Sequence, residues 1–189
     1  MRIVLLASGS GSLAQSIIDA RDSGKLKIEI LELISDKKSQ ALERASAAGI
    51  NTTFLPMTAD RSNWDTQLFE TVSNLNPDLV VSVGFMRILS AEFVAKFPTI
   101  NTHPALLPKF PGAHAVRDAL AAGSQVTGST VHWVDAGIDT GAIINQKEVV
   151  VLSQDDETSL HERIKIVERE LIVETLQDFI TDGLPRRNQ

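Results

Sequence analysis

The sequence predicts an α/β protein with a mostly parallel sheet, helices on both faces and an antiparallel extension toward the C-terminus. Strand-like and helix-like runs alternate over the first hundred residues, as they do in parallel sheets covered by helices. After residue 100, two strand-like runs follow one another without a helical run between them. We expect that pair to extend the sheet in the antiparallel sense.

The first half supplies four strands and three helices. The strands are predicted over residues 2–7, 27–35, 52–57 and 78–85, and the helices near residues 12–22, 38–48 and 62–75. On sheets of this kind, ligands lie at the carboxyl ends of the strands. The segments that directly follow the strands are therefore where a functional site is expected.

The second half begins with a proline-rich loop. A short helix near residues 113–122, strands over 127–134 and 142–151, and a long amphipathic helix over 155–180 follow it. Asp155 and Asp156 favour the N-terminus of that last helix because carboxylates stabilise the positive end of the helix dipole. Its predicted buried stripe consists of Leu160, Ile164, Val167, Leu171 and Leu176.

Composition excludes several classes of protein. The 189 residues suit one domain, and no stretch is apolar over the length that a bilayer requires. The absence of cysteine excludes disulfides, thiolate metal sites and a catalytic thiol. A formal charge of −6 argues against nonspecific nucleic-acid binding, and the C-terminal PRRNQ is interpreted as a solvated tail. Met1 leads directly into a strand-like run rather than a secretory signal, so a cytoplasmic location is expected.

A glycine-rich loop, ASGSGSLAQ, joins the first strand to the first helix. The backbone N–H groups of Gly11, Ser12 and Leu13 are expected to converge on an anion, because the N-terminus of a helix has unpaired donors and a positive dipole end. A purely structural alternative is a tight turn in which Ser12 caps the helix.

The same loop also fits a dinucleotide-binding spacing. Gly9, Gly11 and Ala14 satisfy G-x-G-x-x-A, which makes a nicotinamide-binding domain a competing hypothesis. That hypothesis needs an acidic residue after the second strand. Asp36 comes late and lies in SDKKS, which is interpreted from its composition as a solvated turn, so the sequence disfavours the dinucleotide hypothesis.

The stretch INTHPALLPKFPG places Asn101 and His103 two residues apart. Side chains at i and i+2 of a strand project to one face, so these two are expected to share a space. Three prolines stiffen the chain that follows. The space is either an active site or a core in which a buried histidine bonds to a backbone carbonyl.

Four motifs in this order, SGSGS, GFMRILS, NTHPALLPKFPG and DAGIDTG, resemble the phosphoribosylglycinamide formyltransferase family, folate-dependent enzymes of purine synthesis. The resemblance covers nearly the whole chain. It implies a Rossmann-like formyltransferase fold in a single domain, residues 1–189. The half that binds the ribonucleotide phosphate would span about 1–100, and the half that binds folate and carries catalysis about 85–189. It also implies formyl transfer from 10-formyltetrahydrofolate to glycinamide ribonucleotide without a metal.

The resemblance assigns catalysis to Asn101, His103 and Asp139. His103 would move protons, and Asn101 would donate an amide N–H to the tetrahedral oxyanion. Asp139 would raise the pKa of His103 and hold it or a water in place. The family also suggests that the Leu107–Pro108 peptide bond is cis.

Substrate contacts carried over from the family fall into two groups. Leu13 stands where the family usually has asparagine, a change that leaves the backbone donors intact. Lys165 and Glu168 match a region that contacts the ribonucleotide, but they could instead form an ordinary ion pair on the helix surface. The residues implied for glycinamide ribonucleotide are Gly11, Ser12, Leu13, Lys165 and Glu168. Those implied for folate are Arg61, near its glutamate tail, Met86, Arg87, Ile88 and Leu89, along its ring, Asn101, and Asp135, Ala136, Gly137, Ile138 and Asp139, which close over it.

Related activities remain as alternatives. Methionyl-tRNA formyltransferase has an additional C-terminal domain and formyltetrahydrofolate hydrolase an N-terminal one, and neither extension is expected to fit in 189 residues. A noncatalytic Rossmann module is the alternative from another class. His114, His132 and His161 are interpreted as structural or surface residues, although His132, on the strand that leads to DAGIDTG, could approach the site. Both tryptophans are interpreted as packing residues, and no nucleic-acid or membrane partner is expected. The sequence leaves the oligomeric state open.

Overall fold

The computed structural model describes residues 1–185 as two compact units, residues 1–100 and the chain from residue 101 onward. Arg186 and Arg187 of the C-terminal basic cluster lie outside the described residues. None of the helices within residues 1–185 has the length and apolarity needed to cross a membrane.

The first unit alternates strands and helices, as predicted. The elements are β1 (Arg2–Leu6), α1 (Ser12–Asp22), β2 (Glu29–Ser35), α2 (Gln40–Ala47), β3 (Asn51–Phe54), α3 (Arg61–Leu75), β4 (Leu79–Ser82) and α4 (Ala91–Lys96). The four strands lie in the order β3-β2-β1-β4, and every pairing among them is parallel. The interior strand β1 is fully buried at Ile3 and Val4, whose aliphatic side chains project to opposite faces, so the strand is covered on both faces.

The helix α4 was not predicted. It begins where the Ser90 side chain accepts a hydrogen bond from the Phe93 N–H at 3.2 Å. Six residues are too few for helical periodicity to emerge, so only the cap signalled this helix. It leads into β5 (Thr99–His103), the strand that carries the first two predicted catalytic residues.

The second unit contains β5, α5 (Ala115–Ala121), β6 (Val126–Trp133), β7 (Ile143–Val150) and α6 (Glu157–Asp182), with strand order β5-β6-β7. The predicted antiparallel pair is confirmed, since β6 and β7 pair in the antiparallel sense with Thr127 opposite Val149. The predicted α/β class with a mostly parallel sheet is therefore confirmed.

The helix α6 covers the second unit with one apolar face. Asp156 and Ser159 form a capping box at its N-terminus, in agreement with the predicted start. Four residues of the predicted stripe are buried and Val167 is partly buried. Glu168 is also buried, which the stripe did not predict.

Candidate active site

The end of β5 brings a histidine into the interior of the second unit. His103 is 4% exposed, and Asn101, two residues earlier on the same strand, is partly buried. The His103 Nε2 lies 2.8 Å from the Phe110 carbonyl oxygen. Because a carbonyl only accepts, Nε2 must carry the hydrogen, which leaves Nδ1 as the basic nitrogen of the neutral ring.

Asp139 faces that basic nitrogen. Its Oδ2 lies 3.3 Å from His103 Nδ1 and accepts a hydrogen bond from the Gly112 N–H at 2.8 Å. Asp139 has a φ of 53°, an uncommon conformation for a residue other than glycine. The surrounding loop supports this conformation, so the carboxylate is held in place beside the imidazole.

The loop that presents Asp139 is braced by Asp135. Its Oδ1 accepts hydrogen bonds from the Gly137 N–H at 2.9 Å and from the Thr140 hydroxyl at 2.7 Å. A Cβ on Gly141 would collide with the Trp133 carbonyl oxygen, so this glycine allows the loop to return to β7. The glycines of DAGIDTG thus have a packing role.

A second histidine, His132, joins Asn101, His103 and Asp139 in one cluster of four polar side chains. Its Nδ1 donates to the Trp133 carbonyl oxygen at 2.8 Å, so the bare Nε2 of the neutral ring faces Asn101 Nδ2 at 3.3 Å. The same Nε2 lies 3.4 Å from Asp139 Oδ1. His132 therefore orients the Asn101 amide and touches the carboxylate that faces His103.

The proline-rich loop after His103 is held by β6 and β7. The Thr130 hydroxyl donates to the Ala105 carbonyl oxygen at 2.6 Å and accepts from the Leu107 N–H at 3.1 Å. Gln146 Nε2 donates to the Leu107 carbonyl oxygen at 2.9 Å. The Leu107–Pro108 bond is cis, which confirms the prediction made from the family.

In the first unit, the glycine loop forms the N-terminus of α1. Gly11 is the N-cap residue, with a φ of 72°, and its carbonyl oxygen accepts the first helical hydrogen bond from Gln15. The structural alternative in which Ser12 caps the helix is wrong, because Ser12 is the first helical residue. The N–H groups of Ser12 and Leu13 precede the first donor of the helical ladder and lie where an anion would bind.

The segment after β4 exposes two apolar side chains, Met86 (66% exposed) and Ile88 (56% exposed), while Leu89 is buried. Arg61, predicted for the glutamate tail, donates from Nη2 to the Ile88 carbonyl oxygen and pairs with Asp65 at 2.8 Å. The guanidinium of Arg61 thus fixes one end of this segment.

Asp36 is not in a solvated turn, contrary to the interpretation from sequence. Its carboxylate is buried at the carboxyl end of β2, where it pairs with Arg87 Nε at 2.6 Å. Composition misled here because the two lysines of SDKKS are exposed whereas the aspartate is buried. The buried carboxylate of Asp36 is tolerated because it is paired with the guanidinium of Arg87.

On α6, Lys165 pairs with Glu162 at 2.7 Å rather than with Glu168. Glu168 is 8% exposed. Burial raises the pKa of Glu168 to about 7, although the charges of Lys165 and Arg169 act in the opposite direction. The surface-pair alternative for Lys165 and Glu168 is therefore wrong.

Comparisons with known proteins agree with this architecture. A family model described as formyl transferase matches residues 1–176. A phosphoribosylglycinamide formyltransferase of Mycobacterium tuberculosis (strain CDC 1551 / Oshkosh) is 48% identical over 188 residues, which cover 97% of this chain and 86% of the relative. The chain belongs to the formyl transferase family.

Two further relatives support the same membership. A phosphoribosylglycinamide formyltransferase of Escherichia coli (strain K12) is 41% identical over 173 residues, covering 89% of this chain and 82% of the relative. The crystal structure of glycinamide ribonucleotide transformylase 1 from Symbiobacterium toebii has a TM-score of 0.94 at 36% identity, covering 100% of this chain and 91% of that one. The family inferred from four motifs is confirmed, and membership implies a folate-derived formyl donor and small-molecule substrates.

Electrostatics at the cluster of this formyl transferase differ from the expectation in one respect. Burial lowers the pKa of His103 below 6.5, and the opposing effects of the Asp139 charge and the Phe110 carbonyl do not make up for it. The expectation that the carboxylate leaves this pKa raised is wrong in net direction, although the contribution of Asp139 has the expected sign. A lowered pKa keeps His103 neutral near pH 7.

The pKa of Asp139 is lowered below its ordinary 3.8. Burial alone would raise it, but the neighbouring His132 ring, the Gly112 N–H and the His103 ring together outweigh burial. Asp139 is therefore ionised at neutral pH.

His132 is the residue of the cluster that the sequence interpretation did not assign to the site. A signal was present, because His132 lies two residues after Thr130 on a strand that leads directly into DAGIDTG. Both side chains project to one face, and both contact the segment that contains Asn101 and the proline-rich loop. Both tryptophans, by contrast, serve packing as predicted: Trp64 stacks on Phe85 and Trp133 on Phe179.

Proposed function

We propose that this formyl transferase moves the formyl group of 10-formyltetrahydrofolate to the amine of glycinamide ribonucleotide, a step of purine (IMP) biosynthesis. The observation that supports this most directly is the cluster of a partly buried amide, two buried imidazoles and a partly buried carboxylate, in a chain whose relatives are named for this reaction. Formyl transfer between nitrogens needs an oxyanion donor and a group that moves protons.

The chemistry can be followed atom by atom. The amine nitrogen attacks the formyl carbon, the carbonyl oxygen becomes an oxyanion, and the bond from that carbon to the folate nitrogen then breaks. The amine loses one proton and the folate nitrogen gains one, so no other reactant is consumed. Asn101 Nδ2, oriented by His132 at 3.3 Å, donates to the oxyanion.

His103 moves the proton in this proposal. Its Nε2–H is bonded to the Phe110 carbonyl oxygen, so Nδ1 is the atom that accepts the proton leaving the amine. Asp139, 3.3 Å away, stabilises the imidazolium that forms. Because the pKa of His103 lies below 6.5, the ring is neutral before reaction and returns the proton readily to the folate nitrogen.

Candidate binding groups for the substrates are present in each unit, taken separately. The N-terminus of α1, at Gly11, Ser12 and Leu13, would hold the ribonucleotide phosphate through backbone N–H groups. The segment of Met86, Arg87, Ile88 and Leu89 would lie against the folate ring. In the second unit, Glu168 and Lys165 would contact the ribonucleotide, and residues 135–139 the folate.

The deciding experiment mixes purified protein with both substrates and quantifies formylated ribonucleotide and free formate by mass spectrometry. Transfer predicts formylated product, whereas a hydrolase would release formate with or without the ribonucleotide. His103→Ala should reduce kcat by about a hundredfold to ten-thousandfold. His114→Ala, at an exposed position, is the matched control and should retain normal turnover.

Two outcomes would refute the proposal. Formate release without formylated ribonucleotide would assign the chain to hydrolysis. Folded His103→Ala that keeps more than about a tenth of normal turnover would remove the proton-transfer role, because that loss is below the range of a general acid or base. Circular dichroism of each variant establishes the folded fraction.

A further inference from the structure

A buried network in the first unit connects the carboxyl ends of β1, β2 and β4. Ser8 follows β1, Asp36 follows β2, and Met86 and Arg87 follow β4. The Ser8 hydroxyl donates to Asp36 Oδ1 at 2.5 Å, and Arg87 Nε donates to Asp36 Oδ2 at 2.6 Å. The Ser8 oxygen accepts from the Met86 N–H at 2.9 Å.

We infer that Asp36 is a positioning residue, which fixes the segment 84–89 in the geometry that accepts the formyl donor. This inference rests on the proposed function, which assigns the segment to folate. Asp36 itself is too deep to touch a ligand, since its side chain is 0% exposed while that of Arg87 is 31% exposed. It acts through Ser8 and Arg87.

The direction of each hydrogen bond explains why a carboxylate is required. The guanidinium of Arg87 only donates, so Oδ2 must accept. The single hydroxyl hydrogen of Ser8 goes to Oδ1, which turns the Ser8 oxygen toward the Met86 N–H. Ser8 and Arg87 face different oxygens of Asp36, and an amide would replace one of these acceptors with an NH2 donor, so one of the two bonds is lost.

The segment has an exposed apolar surface on a fixed backbone. The Ser8 N–H donates to the Gly84 carbonyl oxygen at 3.1 Å, the Met86 N–H is bonded to Ser8, and the Ile88 carbonyl oxygen accepts from Arg61. Met86 and Ile88 nevertheless have their side chains largely in solvent. Fixing such a surface before binding reduces the ordering cost when a flat aromatic group lies on it.

A second consequence concerns the orientation of Arg87. Within the described part of the chain, its only hydrogen bond is the one from Nε to Asp36. That bond fixes one edge of the guanidinium plane, and the side chain continues to the surface. Removing the carboxylate would leave the cation without its partner and free the plane to rotate.

The test is steady-state kinetics of Asp36→Asn, with each substrate varied in turn. The expected result is a rise of about tenfold in KM for 10-formyltetrahydrofolate, a factor equivalent to 1.4 kcal/mol. The KM for glycinamide ribonucleotide and kcat should stay within about twofold. Asp78→Asn is the control, because Asp78 is another hydrogen-bonded carboxylate of this unit, accepting from the Arg2 N–H at 2.6 Å.

Ser8→Ala keeps the test informative if Asp36→Asn does not fold. Ser8→Ala removes the hydrogen bond to the Met86 N–H and should raise the KM for 10-formyltetrahydrofolate. The double variant, Ser8→Ala with Asp36→Asn, should raise this KM by less than the product of the two single effects. A purely structural role predicts a lower melting temperature with unchanged KM for the donor, and that result would overturn the inference. Loss of transfer in the unmodified protein would instead refute the proposed function.

Discussion

Replacing Glu168 by glutamine is expected to stabilise the protein at pH 8 and to change its stability little at pH 4. Glu168 is almost fully buried on α6, and burial raises its pKa to about 7 from an ordinary 4.5. Lys165 and Arg169 lower this pKa by their charges but do not cancel the cost of burial. The carboxyl is therefore neutral in the folded protein at pH 6, where it is ionised in the unfolded chain.

The sign follows from proton binding. Between pH 4.5 and about 7 the folded state binds more protons at this site than the unfolded state, so stability falls as pH rises through that window. The difference between about 7 and 4.5 corresponds to about 3 kcal/mol, since a tenfold change in proton affinity is worth 1.36 kcal/mol. Glutamine does not titrate, so it removes this dependence.

The assay is urea denaturation followed by circular dichroism at several pH values from 4 to 8. The free energy of unfolding of Glu168→Gln, relative to the unmodified protein, should increase by about 3 kcal/mol from pH 4 to pH 8. Asp178→Asn, an exposed carboxyl on the same helix, is the matched control and should show no such trend. A change of less than about 1 kcal/mol across this range would refute the reasoning.

Three other predictions test the cluster and the glycine loops. Asp139→Asn should move the acidic limb of the kcat–pH profile further below 6.5, because the carboxylate raises the pKa of His103 against burial; an upward move would contradict this. Leu13→Asn should change KM for glycinamide ribonucleotide by less than about tenfold if backbone N–H groups hold the phosphate. A hundredfold change would show that the side chain matters. Gly141→Ala should lower the free energy of unfolding in urea by about 1–3 kcal/mol, since its Cβ would collide with the Trp133 carbonyl; an unchanged value would show that the loop relaxes.

Elements with strong periodicity were predicted closely. The helix α1 spans the predicted residues 12–22, and α6 begins at its predicted acidic cap. The predicted strand over 52–57 is shorter in the structure, Asn51–Phe54, because pairing with β2 ends at Ser35 opposite Phe54. Strand length depends on the partner strand, which local sequence does not specify.

Within the second unit, period-2 spacing correctly placed Asn101 and His103 on one strand. The sequence analysis offered two hypotheses for His103, a core residue bonded to a backbone carbonyl and an active-site residue, and the geometry is compatible with both. The ring is buried and bonded to a backbone carbonyl, as the structural alternative predicted, and the same bond sets the tautomer that leaves Nδ1 toward Asp139. A bond that looks structural is therefore also compatible with the proposed proton transfer. Sequence spacing gives the neighbours of a side chain along its strand, but not the partner of each ring nitrogen.

The net pKa of His103 shows why charge effects were the hardest feature to predict. A carboxylate in the motif gives the sign of one contribution, whereas the cost of burial depends on how deeply the packed unit encloses the ring. Here burial exceeds attraction, and His132 opposes the cation further. The result suits the proposed role, because a proton carrier must be neutral when the amine attacks and must release the proton afterwards. In this proposed role, Asp139 would stabilise the imidazolium, and burial of the ring would favour release of the proton.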